Sequence, residues 1–276
     1  MGMQINTNLA ANNTYRTLNN TQNDLSKSLE KLSSGMRINR AGDDAAGLAI
    51  SEGLKSQANG MGVAARNAQD GISVIQTAEG SLSEVQTILQ RVRDLAVQAG
   101  NDSNNADSRT AIQTEVTALG DELTRISTSA EFNGTKLLNT AAAGTPMSFQ
   151  IGANGSADNQ IAVNLTDVGA IATAVKALTF DNAANAALAI TATDTQITAV
   201  STARADLGAS QNRFESVVRN LQVSKENLTA ANSRIRDTDM AEEMVKFTKN
   251  NILSQAGTAM LAQANQSSQG VLQLLR

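Results

Sequence analysis

Val200, Leu207, Phe214, Leu221, Leu228 and Ile235 stand seven residues apart, with Ala203, Ser210, Val217, Ser224 and Ala231 between them. Residues three and four apart share one face of an α-helix, so a sustained seven-residue repeat draws a narrow apolar seam along a rod. Roughly 40 residues in that register make one helix of about 60 Å, and such a rod needs partners along its whole length. The register recurs elsewhere in the chain. Ile75, Leu82, Leu89 and Ala96 form one row and Ala78, Val85, Val92 and Ala99 its companion, in a helix expected to run from Asp70 to a stop at Gly100-Asn101-Asp102. Ile112, Val116, Leu119, Leu123, Ile126 and Ala130 alternate spacings of four and three, and Phe132-Asn133-Gly134 closes that segment. These two helices are the evident partners of the long one, giving an antiparallel bundle.

Composition agrees with seams in place of a globular core. Aromatic residues are 2% of the chain, with no Trp, and the one proline is Pro146. A chain without large aromatic packets must bury Leu, Ile, Val and Ala along extended contacts, and proline is the residue that helix interiors exclude. His and Cys are both absent, which removes Ser-His and Cys-His nucleophiles, His or Cys metal sites and disulfides. A net charge of -4 argues against nucleic acid or an anionic membrane as partner. No stretch reaches the ~18 to 20 apolar residues of a membrane span. The start, MGMQINTNLAANNTYR, has no basic stretch followed by an apolar run, so the protein is expected either to stay in the cytoplasm or to leave by a route that needs no cleaved signal.

Both chain ends carry the heptad. Leu18, Leu25 and Leu32 mark the first, with Leu29 and Met36 on its flank; Leu253, Met260, Ser267 and Leu274 mark the last, with Gly257, Ala264 and Val271 between. Half of the last seam is small residues, too little apolar area to offset the entropy of ordering the segment. The two ends are expected to pair and to need further copies to fold fully. The alternative is a closed bundle of all the helices in one chain. Residues 140–196 differ: Met147 to Ile151 and Ile161 to Leu165 alternate and read as a β-hairpin across Gly152 to Asn159, while 182–192 show no pattern.

Between the first heptad segment and the bundle lies LSSGMRINRAGDDAAGLAIS, Leu32 to Ser51. Gly42 and Gly47 have phosphate-loop spacing, but Leu48-Ala49 stand where Lys-Ser/Thr is required, and Asp43-Asp44 lack the alternating ligands and distal Glu of a calcium loop. The residues read better as a joint. Gly35 ends the first helix, Gly42 frees the turn, Asp43 or Asp44 caps a second helix that runs toward a break at Gly60 and Gly62, and Arg37 and Arg40 are free to pair with acids of a neighbouring chain. The adjacent pairs Asp43-Asp44 and Glu242-Glu243 diverge on a helix, so they read as capping and solvated charge, not as acid-base machinery. In Gln90-Arg91-Val92-Arg93-Asp94-Leu95, an inward Val92 leaves Arg91 and Leu95 on a shared outer face.

These stretches, together with QDGISVIQTAEGSL, LQRVRDLAVQAGN, EFNGTKLL, FQIGAN, ENLTAANSRIRDTDMAEEM and NILSQAGTAMLAQANQSSQGVLQLLR, resemble the bacterial flagellins, subunits of the flagellar filament, in a short form with minimal outer domains. The family's usual opening Met-x-Ile-Asn begins here at Met3, so Met1-Gly2 precede it. The resemblance implies a mainly α fold: a long antiparallel helical bundle or coiled coil with a small β-hairpin region and the N- and C-terminal helices paired. It implies an inner coiled-coil domain of 1–42 and 236–276, a helical bundle domain of 43–140 and 197–235, and a hairpin with a short variable outer segment over 141–196. It further implies a non-enzymatic structural subunit without cofactor or metal, exported unfolded through the flagellar type III apparatus and extracellular in the filament. Partners would be further copies of the chain, an export chaperone, the filament cap, the hook-junction proteins and a host Toll-like receptor.

Arg91, Leu95 and Glu115 match the family's receptor-contact positions. Leu18, Leu25, Leu32, Arg37, Arg40, Asp43, Asp44, Leu253, Met260, Val271 and Leu274 are the expected assembly residues. Two other long-helix classes compete: a hook-filament junction protein shares the terminal seams, and a chemoreceptor hairpin shares the composition. The junction protein is not expected to match the central and C-terminal motifs so fully, and the chemoreceptor needs one continuous hairpin and usually a membrane anchor.

Overall fold

The computed structural model describes residues 7–274, with side-chain surroundings for 7–266. In chain order the elements are α1 (Leu9–Ser34), α2 (Ala45–Ala99), α3 (Ala106–Ser129), β1 (Glu131–Phe132), β2 (Thr135–Lys136), α4 (Thr140–Gly144), β3 (Met147–Gln150), β4 (Gln160–Val163), α5 (Val168–Lys176), α6 (Ala183–Arg236) and α7 (Met240–Leu274). They form two compact units, Met1–Ser56 with Asn227–Arg276 and Gln57–Glu226, whose boundaries fall inside α2 and α6.

In the unit Gln57–Glu226, α2 and α6 run antiparallel. Gly71 lies against the Phe214 ring, Glu79 and Gln86 accept from the Arg204 guanidinium, Arg93 Nε donates to Asp194 at 2.6 Å, and Gly100 approaches Ala186. Both heptad rows of α2 are almost wholly withdrawn from water, from Ile75 at 1% exposure to Ala99 at 0%. They share one core with Val200, Leu207 and Phe214 of α6, Val116 and Leu123 of α3, and Val168, Ile171 and Val175 of α5. The repeat therefore does here what its period dictates: every seventh residue points into a continuous seam. Phe149 of β3 meets Phe214 edge to face, with ring centroids 5.5 Å apart, and ties the β3–β4 hairpin to that seam. β3 and β4 pair antiparallel, Met147 opposite Val163 and Gln150 opposite Gln160, as the alternation predicts.

Several expectations are corrected. No break occurs at Gly60 or Gly62; α2 is a continuous helix of 55 residues. Gly60 serves close approach instead, as does Gly71 further along: a Cβ on Gly60 would lie 2.8 Å from the Ala153 Cβ of the hairpin loop, and one on Gly71 3.0 Å from the Phe214 ring, whereas one on Gly62 would meet only the Lys225 side chain at ordinary contact distance. Phe132-Asn133-Gly134 does not merely end α3. Asn133 (φ 48°) and Gly134 (φ 78°) form the left-handed pair that closes the β1–β2 hairpin. Of the stretch 182–192, patternless in sequence, 183–192 open α6 and Asn182 caps it, its Oδ1 accepting from Asn185 N at 2.8 Å, while small Ala186, Ala189 and Thr193 are buried. That helix is 54 residues long, longer than its large-residue heptad.

In the other unit α1 and α7 pair antiparallel. Asn8 Nδ2 donates to the Ala264 carbonyl at 2.9 Å, a Cβ on Gly257 would meet Leu18 at 3.1 Å, and Ser254 Oγ donates to Gln22 at 3.3 Å. Asn8 caps α1 by accepting from Ala11 N, and Gly35 ends it in the left-handed conformation (φ 71°).

Phe214 combines full burial, the edge-to-face contact and the Gly71 approach. Phe214→Ala is expected to lower stability by about 3 to 5 kcal/mol, read as the shift in a chemical denaturation midpoint. A loss under about 1 kcal/mol would mean that the seam does not converge on this ring.

Candidate assembly surfaces

The joint between α1 and α2 is built by side chains that the sequence places within a few residues of each other. Asp44 caps α2: its Oδ1 accepts from Gly47 N at 2.8 Å, while its carbonyl accepts from Leu48 N. Asp43 has a different task, since its Oδ2 accepts from Asn39 N at 3.1 Å and Arg40 N at 3.0 Å and so holds the 39–43 turn closed. Ile38, 1% exposed, is the joint's apolar anchor, and it sits against Gly47, where an added Cβ would lie 2.8 Å from its Cδ1. The strand-like piece beside it bridges to the end of α6: Met36 pairs with Asp237, Arg37 N donates to the Arg236 carbonyl at 2.6 Å and Thr238 N to the Gly35 carbonyl at 3.0 Å.

This geometry revises the reading of the joint. Arg37 and Arg40 are not free: Arg37 Nη2 donates to the Ile235 carbonyl at 2.6 Å, and Arg40 Nε pairs with Glu30 at 2.8 Å. The Arg40 side chain is still 75% exposed, so its ion pair is a weak surface one that a neighbour's acid could replace. Gly42 does not take a left-handed conformation, so it is not the residue that frees the turn. Ile38 and Gly47 were missed as functional residues; the only sequence signal was a lone Ile in a polar stretch, followed nine residues later by a glycine.

The α1–α7 pair is thinly buried. Leu18, Leu25 and Leu32 are half-covered along its seam. Leu9, Leu29, Met240, Met244, Val245, Ile252, Leu253 and Met260 are exposed. Val271 and Leu274 lie outside the residues whose side chains are described. Glu243 is not a solvated charge as the sequence suggests: it is 5% exposed beside the equally buried Ser28, with Lys246 Nζ at 3.9 Å, while its neighbour Glu242 takes the closer pair with Lys246 at 2.8 Å. Asp239, unremarked in the sequence, caps α7 by accepting from Ala241 N and Glu242 N.

On the bundle surface Arg91 reaches Glu115 of α3 with two guanidinium nitrogens, at 2.9 and 2.7 Å, and both side chains are exposed. Leu95 does not share their outer face. It is 2% exposed, in a row with Ile88, Val92 and Ala99, because α2 is covered by α3 on the Arg91 side and by α6 on the Arg93 side. Among the described residues no group of three or more acidic side chains converges as a metal site would require, and no helix is long and apolar enough to cross a membrane.

Long antiparallel helices, a seam of small and aliphatic residues and exposed apolar side chains define a long-helix, coiled-coil-like fold. Residues 5–143 match the family model described as the bacterial flagellin N-terminal helical region, and residues 190–275 match the C-terminal helical region. The chain is 52% identical to the flagellin of Bacillus subtilis, over 99% of this chain and 100% of that protein, and 51% identical to the flagellin of Halalkalibacterium halodurans over the same shares. It is 48% identical to the flagellar filament 33 kDa core protein of Treponema phagedenis, again over 99% of this chain and 100% of that one. The crystal structure of Bacillus cereus flagellin superposes with a TM-score of 0.50 at 30% identity, covering 56% of this chain and 88% of that one. The chain belongs to the bacterial flagellin family, and it is a structural subunit of the flagellar filament.

Two backbone donors, from Arg40 and then Asn39, with Lys31 and Lys27 nearby, hold the Asp43 carboxyl below its ordinary range. A depressed native pKa means that the turn's stabilisation is present above the unfolded aspartate value and is lost as pH falls through the native one. An NMR titration is expected to give Asp43 a midpoint below that of an unperturbed aspartate, with the Asn39 and Arg40 amides shifting in step. A midpoint at or above the ordinary value would contradict the clamp.

Proposed function

We propose that the subunit leaves the cell unfolded and folds its terminal pair into a growing helical array of its own copies. The observation that carries this reading is the exposed apolar surface of α1 and α7: Leu253 and Met260 beside the half-covered Leu18 seam, and Met244, Val245 and Ile252 on a further face. Faces that differ from one another and do not close on themselves build an open helix of subunits, and burial between neighbours supplies stability that the isolated pair lacks.

In this reading 1–42 and 236–276 form the inner layer, 43–140 and 197–235 the bundle around it, and 141–196 the hairpin with a short outer segment. Asp44 and Asp43 hold the turn by which the chain leaves the inner layer, and the exposed Arg40 lies where a neighbour's acid can take the place of Glu30. An export chaperone would hold the terminal segments before release, and the cap and hook-junction proteins would present the same kind of helical seam at the two ends of the filament. The extracellular flagellum is the site of action.

We also infer that a host Toll-like receptor reads the exposed Arg91–Glu115 pair. Leu95, buried beneath it, acts through the packing of α2 and not as a contact of its own.

Purified protein supplied with filament seeds should elongate them into long hollow filaments in electron micrographs; seeds that stay at their initial length would contradict the assembly reading. Arg91→Ala should leave those filaments intact and weaken receptor signalling in a reporter assay, and unchanged signalling would refute the receptor surface.

A further inference from the structure

The chain has no cysteine, so its 8 methionines are its whole complement of sulfur. Among the described residues they divide by place. Met36, Met61 and Met147 are half-buried. Met240, Met244 and Met260 are 48%, 51% and 62% exposed, and all three stand on α7. Met244 lies in an open apolar trough with Val245, Ile252 and Leu253, and Met260 in another formed with Leu18, Leu253 and Gly257. Met244 and Met260 thus lie on the surface through which, on the reading above, copies join, and Met240 stands one helical turn before Met244 on the same face of α7.

We propose that Met240, Met244 and Met260 form an oxidation-sensitive site that decides whether a free subunit can enter the filament. The co-reactant is a two-electron oxidant of the peroxide class. A thioether lone pair attacks one peroxide oxygen, the O–O bond breaks as the S–O bond forms, and after proton transfer water leaves; sulfur loses two electrons and the peroxide gains them.

The product keeps the length of the side chain but carries a strong acceptor with no donor of its own. Exposed on a free subunit it stays hydrated and harmless. Between two apolar faces it has lost its water and found no partner, which is the costly case for a polar group. The same burial works in the other direction, because neighbours that cover the thioethers deny the oxidant access. Assembly and oxidation therefore compete for the same atoms, and sulfoxide reductases, one for each epimer, return a blocked subunit to the competent pool at the expense of a dithiol, which is oxidised to a disulfide as the sulfoxide oxygen leaves in water.

The inference rests on the filament reading, and its test separates the two. Monomer is treated with hydrogen peroxide, mapped by peptide mass spectrometry and then added to seeds. The expected result is one added oxygen first at Met240, Met244 and Met260, with Met36, Met61 and Met147 lagging, and elongation slowed at least ~10-fold. Preassembled filaments given the same dose should stay unmodified at the three positions. The Met240→Leu, Met244→Leu, Met260→Leu chain, close in volume and apolar, should elongate at the same rate after treatment as before it, whatever that starting rate is. Treatment of oxidised wild type with both reductases and a dithiol reductant should restore elongation, which decides the matter even where the triple variant does not assemble.

Oxidised wild type that elongates at the untreated rate would overturn the inference. So would Met36, Met61 or Met147 reacting first, or reductases that remove the oxygens without restoring growth. Failure of the filament reading has a different signature: untreated protein that does not elongate seeds at all.

Discussion

The two rows of α2, Ile75 to Ala96 and Ala78 to Ala99, are withdrawn from water because α3, α5 and α6 contribute to the same core, and the rest of the Gln57–Glu226 unit is arranged around that seam. A helix of 55 residues cannot be held by its own propensity; it needs burial along its length. The glycines at 60 and 71 bring the hairpin loop and Phe214 within contact distance of α2, and the Phe149–Phe214 pair fixes the hairpin on the seam. Along α6 the heptad continues past Leu221, but Leu228 and Ile235 are only half-covered. The repeat persists where burial within one chain does not, and on the proposed reading neighbouring copies cover what is left.

The terminal pair carries the mismatch furthest. α1 and α7 run against each other along their length, with Asn8 on Ala264, Leu18 on Gly257 and Gln22 on Ser254, yet large side chains on several faces stay in water. Soluble monomers rarely leave so many apolar groups in continuous rows. The joint at 35–44 is by contrast well determined: a left-handed Gly35, the Ile38 anchor, the Asp43 clamp and the Asp44 cap each fix a separate degree of freedom. A rigid joint beside a thinly buried helix pair suits a subunit whose neighbours complete it.

Sequence periodicity made most of the helices legible, because a heptad row states which residues face inward. The α2 rows, Ile112 to Ile126 and Val200 to Leu221 could be read in that way, as could the β3–β4 alternation and the stop at Gly35. It failed where contact is made without large side chains. Ala186, Ala189 and Thr193 are buried because α6 lies close to its neighbours there, and small residues leave no hydrophobic signature. Glycine misled for the same reason: Gly60 and Gly62 read as breaks, when a missing Cβ can as well mean a near neighbour. Leu95 was placed outward by a rule that allows α2 one seam, whereas α3 and α6 cover two of its sides. The joint's charges could be identified but not partnered, since the Arg40–Glu30 and Arg37–Ile235 contacts join residues ten and 198 apart.

Hydrogen exchange followed by mass spectrometry, on the free subunit and on assembled filaments, tests the central claim most directly. Local opening is read by amide protection, segment by segment. The account predicts that in the free subunit residues 9–34 and 240–266 exchange far faster than 75–99 and 200–221, and that in filaments the terminal segments become as protected as the bundle. Terminal segments already as protected as the bundle in the free subunit would contradict it.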